Sequence, residues 1–214
     1  VTRLLQILFF ALVVRPVLMV VLGVHVRRRE LLPREGPAVI IANHNSHLDT
    51  LTLMALYPLR DLHRLRPVAA MDYFLRNRFM RWLAEDLIGI IPVNRVKGAK
   101  EGANPLAGAE AALDRGQILI LFPEGSRGEA ERMAQFRKGI AHLAKARPDV
   151  PVTPVFMHGL GKALPKGSFT LVPFNCDVFV GPPLRWSGDI DGFVEAARGA
   201  VEALAAEAHV PDWE

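Results

Sequence analysis

From residue 36 onward, short apolar runs alternate with stretches of helical periodicity. This is how an α/β domain reads when helices flank a mixed, largely parallel sheet. The apolar runs predict strands at Val39 to Ala42, Pro67 to Ala70, Ile88 to Val93, Ile118 to Phe122, Val152 to Met157 and Val178 to Val180. Helices are expected between them at about 46–57, 73–84, 104–115 and 137–146, with a closing helix near 190–208. Asp72 precedes the second, and Asn104 with Pro105 opens the third as cap and first-turn proline. No repeat, low-complexity tract or linker interrupts this alternation. Residues 31–214 are therefore expected to form one domain behind an appendage of residues 1–30.

The appendage is the most apolar part of the chain, from Leu4 to Val24, broken only by Gln6, Arg15, Pro16 and Gly23. Its length suits a bilayer span, but an arginine at the midpoint of a span costs roughly 2.5 to 3.5 kcal/mol on insertion scales. Pro16 removes a backbone donor beside it and is expected to break or kink a helix. Two short helices, a hairpin lying in one leaflet with Arg15 snorkelling at the interface, avoid both costs. The alternatives are a buried core hairpin and a single tilted span, which Arg27, Arg28 and Arg29 would orient with the following domain on the cytoplasmic face. That arginine triplet stands where a signal peptide would need a small-residue cleavage site.

Charge distribution supports a membrane location. The formal net charge is +4, and Arg3, Arg15, Arg27, Arg28 and Arg29 against Glu30 account for all of it. The other residues carry equal numbers of basic and acidic side chains. A chain with 50% hydrophobic residues can bury a substantial core, and its single cysteine excludes an intrachain disulfide. The basic, aromatic stretch Tyr73 to Leu83 fits a packed helix or a lipid surface better than nucleic acid, so no nucleic-acid partner is expected.

Directly after Val39-Ile40-Ile41-Ala42 comes His44-Asn-Ser-His-Leu-Asp49. Five residues along one helix rotate by about 500°, which would leave His44 and Asp49 about 140° apart. A histidine just before the helix can instead fold back over the first turn and reach the carboxylate, giving a base and its orienting group at a strand end. Ser46 to Asp49 also forms a capping box, in which Asp49 reaches back to a free amide. His44 and His47 invite a metal-ligand reading, but the remaining histidines are scattered and Cys176 has no companion, so no metal is expected.

Two further loops present charged side chains at strand ends. Gly89-Ile-Ile-Pro-Val-Asn-Arg95 is followed by Gly98, Lys100 and Gly102; Phe122-Pro-Glu-Gly-Ser-Arg127 presents Glu124 and Arg127 on a tight turn. Guanidinium forks suit phosphate or carboxylate, and glycine-turn amides add donors. The turn at Ser126 lacks the first glycine of a serine-hydrolase elbow, since Glu124 occupies that position. Neither a P-loop nor a dinucleotide fingerprint occurs.

Taken in order, these blocks resemble those of the 1-acylglycerol-3-phosphate acyltransferase family, the PlsC-like glycerolipid acyltransferases. Asn43 to Asp49 is similar to the H-x4-D block, Gly89 to Arg95 to the second, Phe122 to Arg127 to F-P-E-G-[ST]-R, and Val150 to Val155 to the proline-bearing fourth. Phe136-Arg137-Lys138-Gly139 looks like the F-K-x-G stretch that follows the third. The resemblance covers roughly residues 25–185. It implies a membrane-attached acyltransferase without a bound cofactor, which takes acyl-CoA or an acyl-carrier protein as donor and a lyso-glycerolipid as acceptor. On this likeness His44 is the general base and Asp49 its partner. Arg95, Glu124, Gly125, Ser126 and Arg127 bind the acceptor, with Lys100 and Lys138 as further anion ligands. Competing readings are an acyltransferase with another lyso-lipid acceptor, a non-catalytic lipid-binding protein of the same fold, and a metal-dependent hydrolase using His44, His47 and Asp49.

Overall fold

The computed structural model describes residues 2–70, 81–93, 104–126, 128, 133–164 and 170–208. Among the described residues, seven strands form one sheet: β1 (His25–Arg27), β2 (Ala38–Ala42), β3 (Leu65–Ala70), β4 (Ile91–Val93), β5 (Ile118–Leu121), β6 (Val152–His158) and β7 (Asp177–Val180). Their order is β1-β7-β6-β2-β5-β3-β4, and every pairing is parallel except β6 with β7. The near-continuous apolar run of β2 reflects its central place, since all five of its residues are buried.

Alternation along β2 divides the core into two layers. Ala38, Ile40 and Ala42 join Phe10, Leu22, Leu53 and Met54 on one face. That face is covered by α1 (Thr2–Val21) and α2 (Leu48–Ala55). Val39 and Ile41 join Ala109, Ile140, Ala197 and Val201 on the other, beneath α3 (Ala107–Asp114), α4 (Gly139–Ala146) and α6 (Ile190–Glu207). A short helix, α5 (Leu160–Ala163), follows β6. Asp189 caps α6 by accepting the Gly192 amide at 2.6 Å, and Asn104 Oδ1 accepts from Leu106 N ahead of α3.

Three expectations are corrected. The run Ile88 to Val93 is strand only at Ile91–Val93, because Leu83–Ile88 is π-helical and Gly89, at φ +83°, ends that helix. Strand β1 was not expected; it is a short edge strand of mixed polarity, held by parallel pairing to β7. The expected helix at 73–84 falls largely outside the described residues.

The third correction concerns the N-terminal hairpin: α1 is one continuous helix. Pro16 lies between π-helical stretches at Phe10–Val14 and Val17–Val21, and the amide of Arg15 donates to Phe10 five residues back. This wider winding accommodates a residue with no amide proton. It also aligns the buried positions Gln6, Phe10, Val14, Leu18 and Leu22, which recur every four residues. In an ideal α-helix such a stripe would drift by about 40° at each step. Arg15 does not snorkel: its guanidinium donates to Tyr57 O at 2.7 Å, just beyond α2, while Arg29 donates to Leu56 O and Arg3 to Arg60 O at 3.1 Å. Cations are favourable at a helix C-terminus. Arg27 lies over the Phe179 ring and Arg28 bonds Val180 O and Glu207, so the basic surplus is engaged within the fold.

Because Phe10 is fully buried in the layer beneath β2, Phe10→Ala is expected to destabilise the protein by about 3–5 kcal/mol. A thermal midpoint in detergent that does not fall would show that α1 contributes nothing to folding.

Candidate active site

The site is built by two neighbouring parallel strands that end level. Register places Ile41 of β2 beside Leu121 of β5, so the segments that leave both strands emerge together at the same sheet edge. Asn43 extends β2's link to β6 with its side chain, donating Nδ2–H to Met157 O and accepting Met157 N–H at Oδ1, both at 2.8 Å. The backbone then turns, and His44 N–H donates to Glu124 Oε1 at 2.8 Å. Gly128 N–H closes the loop from the other side by donating to His44 O at 2.9 Å.

His44 Nδ1 lies 2.9 Å from Asp49 Oδ2. That oxygen also accepts the amides of Asn45 at 2.7 Å and Ser46 at 2.8 Å. One atom thus serves both the helix entrance and the histidine ring. Since Asp49 only accepts, Nδ1 carries the proton of a neutral ring, and Nε2 is left with its lone pair. The ring stacks on Phe122 with centroids 4.1 Å apart and planes 19° from parallel. Asp49 is buried at 2% exposure, whereas the His44 side chain is 19% exposed, so the imidazole can be reached from outside. His47, the residue immediately before α2, is exposed.

Glu124 is 3% exposed, and its second oxygen, Oε2, accepts Ala134 N–H at 3.0 Å. With one backbone amide on each oxygen, this carboxyl group is a strut that ties His44 to the loop before α4. Lys138 is drawn away to Asp191 at 2.7 Å, on the first turn of α6. Gly125 adopts φ +78°, a conformation that L side chains rarely take, and Ser126 is exposed beside it. Arg95, Lys100 and Arg127 lie outside the described residues.

Two contributors escaped the sequence reading. Phe122 was read only as the end of a strand, although an aromatic two residues before a strand-end carboxylate could have suggested a platform. Arg137, neighbour of the chosen Lys138, donates Nε–H to Glu124 O at 3.2 Å. A cavity of about 650 Å³ opens at the opposite sheet edge, among Arg29, Arg34, Tyr57, Arg60 and Arg64, and contains no base with an orienting carboxylate.

A family model described as Acyltransferase matches residues 23–158, a span that holds His44, Asp49, Glu124 and Arg137. The chain belongs to the acyltransferase family. Among relatives of this chain, a chloroplastic 1-acyl-sn-glycerol-3-phosphate acyltransferase of Arabidopsis thaliana is 28% identical over 166 residues, covering 77% of this chain and 44% of that protein. A 1-acyl-sn-glycerol-3-phosphate acyltransferase alpha of Mus musculus is 29% identical over 183 residues, covering 82% and 61%. The chain thus spans about half the length of the curated relatives it matches. The crystal structure of the 1-acyl-sn-glycerophosphate acyltransferase PlsC from Thermotoga maritima superposes with a TM-score of 0.71, covering 89% of this chain and 73% of that one. At 21% identity that likeness establishes the fold.

The Glu124 strut has a measurable signature in stability. Burial pushes its carboxyl above the ordinary value of 4.5, against the pull of the Ala134 and His44 amides. Between the unfolded and the folded value, the folded protein therefore holds a proton that the unfolded chain releases. This contribution to stability is complete below about pH 4.5 and is lost as pH rises through the folded value. Glu124→Gln should abolish that slope. It should also cost about 1–3 kcal/mol, because the carboxamide turns a donor toward one of two buried amides. Denaturant unfolding of both proteins from pH 4.5 upward tests this, and parallel stability curves would remove Glu124 from the role.

Proposed function

We propose that the protein transfers an acyl chain from an acyl thioester to the free hydroxyl of a lyso-glycerophospholipid, 1-acylglycerol-3-phosphate, giving phosphatidic acid. The observation that carries this reading is the 2.9 Å contact between His44 and Asp49, which puts the proton of the neutral ring on Nδ1 and its basic lone pair on Nε2 of a partly exposed side chain. The names of the relatives support the choice of acceptor, and the donor is acyl-CoA or an acyl-carrier protein.

As the acceptor oxygen bonds to the thioester carbonyl carbon, its proton passes to His44 Nε2. A well-placed general base contributes roughly 10² to 10⁴ in rate. Asp49 fixes the tautomer and stabilises the imidazolium while it exists, as the carboxylate does in hydrolase triads. When the carbon–sulfur bond breaks, the proton leaves with the sulfur as free thiol. Transfer is direct, within a ternary complex, because the attacking oxygen belongs to the acceptor and Cys176 is buried.

The membrane supplies acceptor and takes up product. The outer face of α1 is apolar and open, with Leu12 at 70% and Val20 at 83% exposure, while its inner stripe is packed against the domain. A helix held along its length by protein cannot be surrounded by lipid. It therefore lies half-embedded in one leaflet, a monotopic attachment to the cytoplasmic face, with residues 1–30 as the anchoring unit.

His44→Ala should lower thiol release with 1-acylglycerol-3-phosphate by about 10² to 10⁴, whereas His47→Ala should keep most activity. The reverse pattern would mean that the other histidine is the base. Leu12→Arg combined with Val20→Arg should move the protein from the vesicle pellet to the supernatant without lowering its thermal midpoint. Continued sedimentation would refute the anchor.

A further inference from the structure

We infer that Arg137 binds a substrate phosphate at the His44 site. This rests on the acyltransferase reading above and adds to it a ligand for the anionic group.

The geometry begins at Gly125. A side chain there would place its Cβ 2.7 Å from Arg137 Nε and 2.9 Å from its Cδ, closer than real contacts allow. The absence of a Cβ at Gly125, whose φ of +78° itself disfavours other residues, lets the guanidinium lie against the Glu124–Gly125 peptide, with Nε–H donated to Glu124 O. The other end of that residue holds His44 through the carboxylate, so one glutamate links the base and the cation. Arg137 N–H also donates to Pro123 O at 2.9 Å, which fixes the arginine at backbone and side chain alike.

Anchoring through Nε has a chemical consequence. Among the described residues neither Nη of Arg137 makes a hydrogen bond, and the side chain is exposed. The pair of Nη groups forms the end-on fork that accepts two oxygens of a phosphate, already oriented before ligand arrives. Asp49 places a carboxylate beside His44, and a phosphate bound there needs a cation to offset that charge. Lys138 does not fill that need, because its ammonium is paired with Asp191.

The phosphate comes either from the acceptor headgroup or from a coenzyme A donor, and two selectivity ratios separate the sources. The first compares kcat/KM for 1-acylglycerol-3-phosphate with that for 1-acylglycerol; the second compares acyl-CoA with the acyl thioester of N-acetylcysteamine, which has no phosphate. In the full chain, Arg137→Ala should lower one of these ratios by about 10- to 100-fold, the loss expected for a hydrogen-bonded charged contact. Arg137→Lys should fall between, since it keeps the charge without the fork. A fall in the first ratio assigns the phosphate to the acceptor, and a fall in the second assigns it to the donor. If both ratios hold while rates drop on every substrate alike, Arg137 is only a strut and the inference is overturned.

Absence of thiol release by the wild-type chain with every acceptor would instead refute the proposed function. Direct binding of 1-acylglycerol-3-phosphate and of coenzyme A in detergent then decides the inference. Binding that is lost in Arg137→Ala sustains it, and binding that is equal or absent in both proteins overturns it.

Discussion

One oxygen of Asp49 receives the His44 ring together with the amides of Asn45 and Ser46. Helix start and ring orientation are therefore a single event. The amides at the entrance to α2 would be unsatisfied donors without that carboxylate, and the imidazole would lack both its tautomer and its direction. A buried acceptor with three donors is also rigid, because moving it would break all three bonds together. The site inherits the stability of a helix terminus.

Around this atom the sheet contributes position. Parallel pairing brings β2 and β5 to a common edge, and the two turns are tied through Glu124, whose carboxylate spans from His44 to Ala134. Phe122 lies flat under the imidazole, and Gly125 leaves room for Arg137. Each of these residues acts on its neighbour through backbone amides, ring stacking or lack of a side chain. Charge is used sparingly: one carboxylate orients the ring, the other holds the backbone, and both are nearly closed to solvent.

The N-terminal helix shows how tertiary packing overrides local preference. Apolar residues on all sides, with an arginine and a proline at the middle, read as a broken element beside a membrane. In the fold, π turns accommodate the proline, and the arginine finds carbonyl groups at the end of α2. The stripe recurring every four residues was present in the sequence, but its meaning depends on a partner surface formed by residues 53 to 57 and by the sheet. Periodicity alone could not show that one side of this helix packs against protein.

By itself the sequence determined the alternation of strands and helices, because buried parallel strands must be continuously apolar and their crossovers amphipathic. It also determined the pairing of His44 with Asp49, since a contact five residues apart across a helix entrance is local and needs no distant partner. What only the tertiary structure decided are the long-range contacts: Glu124 as a strut, Arg137 at the turn while Lys138 goes to Asp191, and Arg15 at Tyr57. Neighbours such as Arg137 and Lys138 are chemically alike in sequence. Only the direction of the chain entering α4 determines which of them meets the turn and which meets α6.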